Sequence, residues 1–87
     1  MGAVLISRND LSAKRPDTGA RIEEALMRAA SASRSTFRAE VISLPGDDVI
    51  VRIEERVPGQ SPPAREVRLH ASQDRAEMQR RIEDAMR

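Results

Sequence analysis

At 87 residues, 39% hydrophobic and 33% charged with a net charge of +1, the chain reads as one globular domain, 1–87, near the lower size limit for a self-sufficient core. It has no cysteine, which excludes disulfides, Cys-based zinc sites and a Cys nucleophile. Phe37 is its only aromatic residue, so the core rests on Val, Ile, Leu, Met and Ala, and stability at the low end for small domains is expected. No apolar run reaches membrane-spanning length. "MGAVLIS" lacks the basic flank and the length of a secretion signal, so the expected location is cytoplasmic. Met1-Gly2 opens like a myristoylation site, but Ile6 stands where that pattern wants Ser or Thr.

In chain order, "AVLIS" (residues 3–7) predicts a short strand. Its apolar residues on both faces predict burial on two sides or an interior place in a sheet. Residues 8–19, "RNDLSAKRPDTG", read as a polar connection, too long for a tight turn and mobile. A helix then starts near Asp17 or Thr18, either of which supplies a capping oxygen. Ile22, Ala25, Leu26 and Ala29 form its apolar stripe, and "SASRS" ends it near residue 32. Three alternating strands follow, near 36–44, 48–57 and 65–71. Their dry residues are Phe37, Ala39 and Val41, then Val49, Val51 and Ile53, then Val67, Leu69 and Ala71. The proline-rich "PGQSPPA" joins the last two. A closing helix, "SQDRAEMQRRIEDAMR", buries Met78, Ile82 and Ala85, with Ser72 and Asp74 competing for its cap.

The stretch "RAEVISLPGDDVIVRIEER" carries a register argument. Facing residues of antiparallel strands share a face, so dry Val41 must meet dry Val51, which requires a three-residue turn of Pro45, Gly46 and Asp47. Arg38 then faces Glu54, and Glu40 faces Arg52. The same logic, pairing Ile53 with Leu69, sets Glu54 against Arg68, Arg56 against Glu66 and Arg52 against His70. Each pair is worth only about 0.2–1 kcal/mol. Together they select a register and leave a wet face whose cations are matched. Without an aromatic side chain that face is a poor platform for stacking bases.

Catalytic and metal-binding patterns are sparse. His70 is the only histidine and has no companion ligands in the sequence, so it reads as a strand residue on the surface. Asp47-Asp48 reads as a turn pair rather than a cation or acid–base site. Ser31, Ser33 and Ser35 around Arg34 offer hydroxyls for a phosphate, yet such serines are common at helix ends. There is no glycine-rich phosphate loop and no nucleophile elbow. The expectation is a non-enzymatic protein with no cofactor and no metal. Residues 1–38 hold seven Lys/Arg against four Asp/Glu, and residues 39–87 hold eight against ten. The basic half supplies the candidate contacts to RNA or to another partner, namely Arg15, Arg21, Arg28 and Arg34, with Arg80 from the last helix. In that last helix Asp74, Glu77, Glu83 and Asp84 offset the basic residues.

The order β-α-β-β-β-α resembles that of the ribosome hibernation-promoting factors. "LISRNDLS" is similar to that family's opening strand and turn, and "EVRLHASQDRAEMQRRIEDAM" to its last strand and helix. The resemblance implies a four-stranded sheet against two helices. It also implies basic helix surfaces that meet ribosomal RNA, here at Arg21, Arg28 and Arg80. The chain departs from the pattern in "AKRPDTGAR" and in its charge-neutral last helix. The expected fold is α+β, one mainly antiparallel four-stranded sheet with two helices packed on one face. The expected function is regulation by binding a protein partner, with RNA or the ribosome as the alternative. A free sheet edge would also admit a second copy of the chain, and no membrane contact is expected.

Overall fold

The computed structural model describes residues 1–87. Its elements run β1 (Ala3–Asn9), α1 (Leu11–Lys14), α2 (Pro16–Ala32), β2 (Thr36–Ser43), β3 (Asp48–Arg56), β4 (Arg65–His70) and α3 (Arg75–Ala85). The four strands form one sheet in the order β1-β2-β3-β4. β2, β3 and β4 pair antiparallel, whereas β1 runs parallel to β2. The sheet is therefore mixed rather than mainly antiparallel. The reason lies in the connection: α2 carries the chain back along the sheet, and a crossover of that length delivers β2 in the direction of β1.

One hydrophobic cluster holds the molecule together. Phe37, Ala39, Val41, Val49, Val51, Ile53, Val67 and Leu69 line one face of the sheet. Ile22, Ala25, Leu26, Ala29 and Ala30 of α2 and Met78, Ile82 and Met86 in and after α3 cover it. The i, i+3, i+4, i+7 stripe of α2 is thus the buried one. At the end of α3, Met86 lies deeper than Ala85, which is only partly buried. The opposite face of the sheet carries no helix.

β1 differs from its expected place. It is an edge strand, bonded on one side only, and its outward residues Ala3 and Leu5 are exposed while Val4 and Ile6 pack on the core. Its doubly apolar pattern therefore does not mark two-sided burial. Residues 8–19 are regular structure for most of their length: the end of β1, then α1, then the first turn of α2. Leu11 is buried and anchors α1. Asn9 binds three parts of this corner, its Oδ1 accepting from Leu11 N at 3.0 Å and its Nδ2 donating to Gly19 O at 3.3 Å and Glu23 Oε2 at 2.6 Å. α2 begins at Pro16, with Arg15 at the cap position and no side-chain cap bond. Proline suits the first helical position because its missing amide would be unpaired there. Thr18, a candidate cap, is instead buried.

The β2–β3 register is the expected one, with Arg38 opposite Glu54, Glu40 opposite Arg52 and Val41 opposite Val51. The turn uses the three residues 45–47: Leu44 N donates to Asp48 O at 2.8 Å, with Gly46 at φ 72° and Asp47 at φ 64°. The β3–β4 register differs. Val51 faces Val67, Arg52 faces Glu66 and Ile53 faces Arg65, so Leu69 meets Val49 rather than Ile53. Both registers match dry face with dry face, so alternation alone does not separate them. The choice falls to the long connection, which lets β3 run past β4 and leaves Glu54, Glu55 and Arg56 paired with β2 alone.

Candidate interaction surface

The helix-free face of the sheet presents its charges in rows. Arg8 of β1 faces Glu40, Glu40 faces Arg52, and Arg52 faces Glu66, so one row alternates in sign across all four strands. Arg38 and Glu54 form a second opposed pair, and Ile42 faces Ile50 between Ser43 and the strand centres. These opposed charges do not close into direct ion pairs. Arg38 Nε donates to Ser7 Oγ at 3.3 Å, and Arg8 grips Asp10 at 2.8 and 2.9 Å. That grip, with an amide from Ser43, holds the Asp10 carboxyl below its usual pKa and raises Arg8 above its own.

The five candidate basic residues do not gather. Arg15, at the start of α2, donates from Nη2 to Asp47 Oδ1 at 2.6 Å and ties the helix to the β2–β3 turn. Arg28 pairs with Glu24 at 2.8 Å on α2. Arg80 pairs with Glu77 at 2.6 Å, and Arg81 holds the other oxygen of Glu77 at 3.0 Å. Both bonds lower the Glu77 pKa, and Arg80 is raised in return. Arg21 and Arg34 are exposed and unpaired, but they stand on α2 and beyond its far end. A phosphate backbone would find separated cations, most already neutralised, rather than a stripe.

The other singled-out residues have structural partners. Asp47 is the turn residue that receives Arg15, and Asp48 opens β3 opposite His70. His70 Nδ1 lies 2.6 Å from Ser72 Oγ and accepts from Ser72 N at 3.1 Å; Arg52, its expected neighbour, faces Glu66. Ser33 Oγ accepts from Ser35 N, and Ser35 Oγ donates to Glu55 Oε2 at 2.6 Å. A groove of about 430 Å³ opens there, between the ends of α2 and α3. Its carboxylates are engaged, Glu55 by Ser35 and Glu83 by Gln79 at 3.3 Å. No three His, Asp or Glu side chains converge as a metal would need. No helix is long and apolar enough to cross a membrane.

What the sequence did not single out is the β1 edge. Ala3 N donates to Ser35 O at 3.3 Å, so Ala3 and Leu5 turn their backbone groups toward β2. Alternation then turns the amides and carbonyls of Val4 and Ile6 to the outside, where no side chain covers them. The large exposed hydrophobic residues of the molecule are Met1, Leu5 and Met27. Met1 precedes β1, and Leu5 stands at its middle, 61% exposed. Met27, 52% exposed, lies one helical turn beyond Glu23, whose carboxylate binds Asn9 of β1, so it flanks the same edge.

The opposite edge is capped over part of its length. Ala71 N donates to Asp47 O, so the odd residues of β4 face β3 and the even ones face outward. There Gln73 takes both groups of His70, accepting from its amide at 2.9 Å through Oε1 and donating to its carbonyl at 3.0 Å from N. Arg81 Nη1 donates to Arg68 O at 3.3 Å. No protein-family model, curated protein or solved structure matches the chain.

Proposed function

We propose that this chain is a non-catalytic regulatory protein that works by binding a protein partner, and that the partner docks along β1. One observation carries the reading: the exposed Met1, Leu5 and Met27 flank the sheet edge whose backbone groups are left uncapped. An edge of that kind recruits a strand through main-chain hydrogen bonds, while apolar side chains on either side exclude water. The RNA reading draws on Arg21 and Arg34, the free cations among the five candidates.

Capture with the tagged chain from extract of its own cells separates the two. A protein bound at the β1 edge stays bound as salt rises, is lost with Leu5→Lys, and is indifferent to Arg21→Glu. Binding to phosphates falls steeply with salt and is lost with Arg21→Glu. That second pattern would overturn the reading.

A further inference from the structure

We infer that the occupant of the β1 edge is a second copy of this chain, paired antiparallel about a two-fold axis through Leu5. The inference rests on the reading of β1 as the docking edge. In that register Val4 lies opposite the second copy's Ile6, Leu5 opposite its own equivalent, and Ala3 opposite Ser7. Small meets small and apolar meets apolar on both faces, and residues 3–7 carry no charge. The hydrogen-bond phase agrees. An antiparallel pair alternates residues that exchange bonds with residues that do not. Val4 and Ile6 own the outward amides and carbonyls, so each Val4–Ile6 pair exchanges both bonds. Leu5 then falls at the non-bonded position, where facing side chains approach closest. A register centred on Val4 keeps the same bonding phase but matches side chains less well, and one centred on Ile6 also loses the phase, because the bulge between Ile6 and Arg8 turns the Arg8 backbone toward β2. Centring on Val4 sets Ile6 against Gly2 and Leu5 against Ala3; centring on Ile6 sets Val4 against Arg8 and Leu5 against Ser7. Symmetry about Leu5 joins two four-stranded sheets into one continuous sheet and brings the exposed Met27 side of each α2 toward the seam.

The chain has no cysteine, so Leu5→Cys places one thiol in the molecule. Facing Cα atoms at a non-bonded antiparallel position, roughly 4.5 Å apart, fall within the span a disulfide bridges. Mild oxidation of Leu5→Cys is expected to give a covalent dimer, while Arg68→Cys on the β4 edge, whose Arg68 carbonyl is taken by Arg81, stays a free thiol. Light scattering is expected to give twice the chain mass for the unmodified protein and the single mass for Leu5→Lys. Leu5 is largely exposed, so Leu5→Lys is expected to keep the far-UV circular dichroism of the parent, which separates lost pairing from lost folding. A monomer at high micromolar concentration, together with a free thiol in Leu5→Cys, overturns the second-copy inference. If Leu5→Lys then still abolishes capture of a different protein, the docking edge stands with another occupant; if capture is unchanged, the edge reading falls as well.

Discussion

At the scale of single residues, backbone approach and local charge decide what each position tolerates. Gly2 lies against the carbonyls of Ser35 and Ala30, and a Cβ there would overlap both. Those atoms are main chain and cannot swing aside, so Gly2→Ala must lift the start of β1 from α2. The expected cost is about 1–3 kcal/mol, read as a lower urea midpoint, in line with overpacking elsewhere. Gly46 poses the other problem: a Cβ at that position would meet no neighbouring atom, but its φ of 72° is left-handed. Gly46→Ala is expected to cost about 1 kcal/mol from conformation alone, and Gly46→Asn less. Asp10 supplies a pH dependence. Its carboxyl titrates below the usual range in the folded chain because Arg8 and the Ser43 amide hold the ionised form. A lowered folded-state pKa means that its stabilisation is complete above the unfolded-state pKa and fades as pH falls through the folded one. The difference in urea midpoint between the parent and Asp10→Asn is therefore expected to be greatest near neutrality and to shrink under acid. A difference that grew on acidification would contradict the assignment.

At the scale of elements, legibility in the sequence followed the period of burial. The stripe of α2, the dry faces of β2 and β3, and the turn at 45–47 were readable because one buried face fixes phase. α3 was readable as a helix, with the cap left between Ser72 and Asp74 and Ala85 taken for the buried Met86; Asp74 Oδ1 accepts from Glu77 N at 2.8 Å, so Asp74→Ala is expected to cost about 1 kcal/mol in chemical denaturation, with Ser72→Ala near neutral for the helix. Three things were not readable. The β3–β4 offset shifts between registers of equal phase, and no local pattern chooses among them. α1 is a single turn held by one buried leucine, too short to show a period. β1 looks interior because its outward residues are apolar, whereas the sheet order leaves it at the edge. The same ambiguity hid the candidate surface, since an apolar residue awaiting a partner and one buried within the chain read alike in sequence.

At the scale of the whole molecule, the asymmetry between the two sheet edges sets how large an assembly can grow. A two-fold seam along β1 uses the same edge on both copies and closes, provided that β4 offers no second seam. Gln73 and Arg81 hinder one: the Gln73 side chain takes the amide of His70, the Gln73 main-chain amide takes its carbonyl, and Arg81 takes the carbonyl of Arg68. Without those two side-chain bonds β4 has a self-complementary register of its own, centred on Val67, in which Glu66 faces the Arg68 of another copy. Alternating β1 and β4 seams would then run on without closure. The double variant Gln73→Ala, Arg81→Ala is accordingly expected to show a mass by light scattering that keeps rising with concentration, where the parent levels off at the dimer. Adding Leu5→Lys removes the β1 seam and is expected to return the triple variant to a finite species joined through β4 alone. If the double variant instead levels off where the parent does, the caps on β4 are not what limits assembly, and the edge is held shut by its short length.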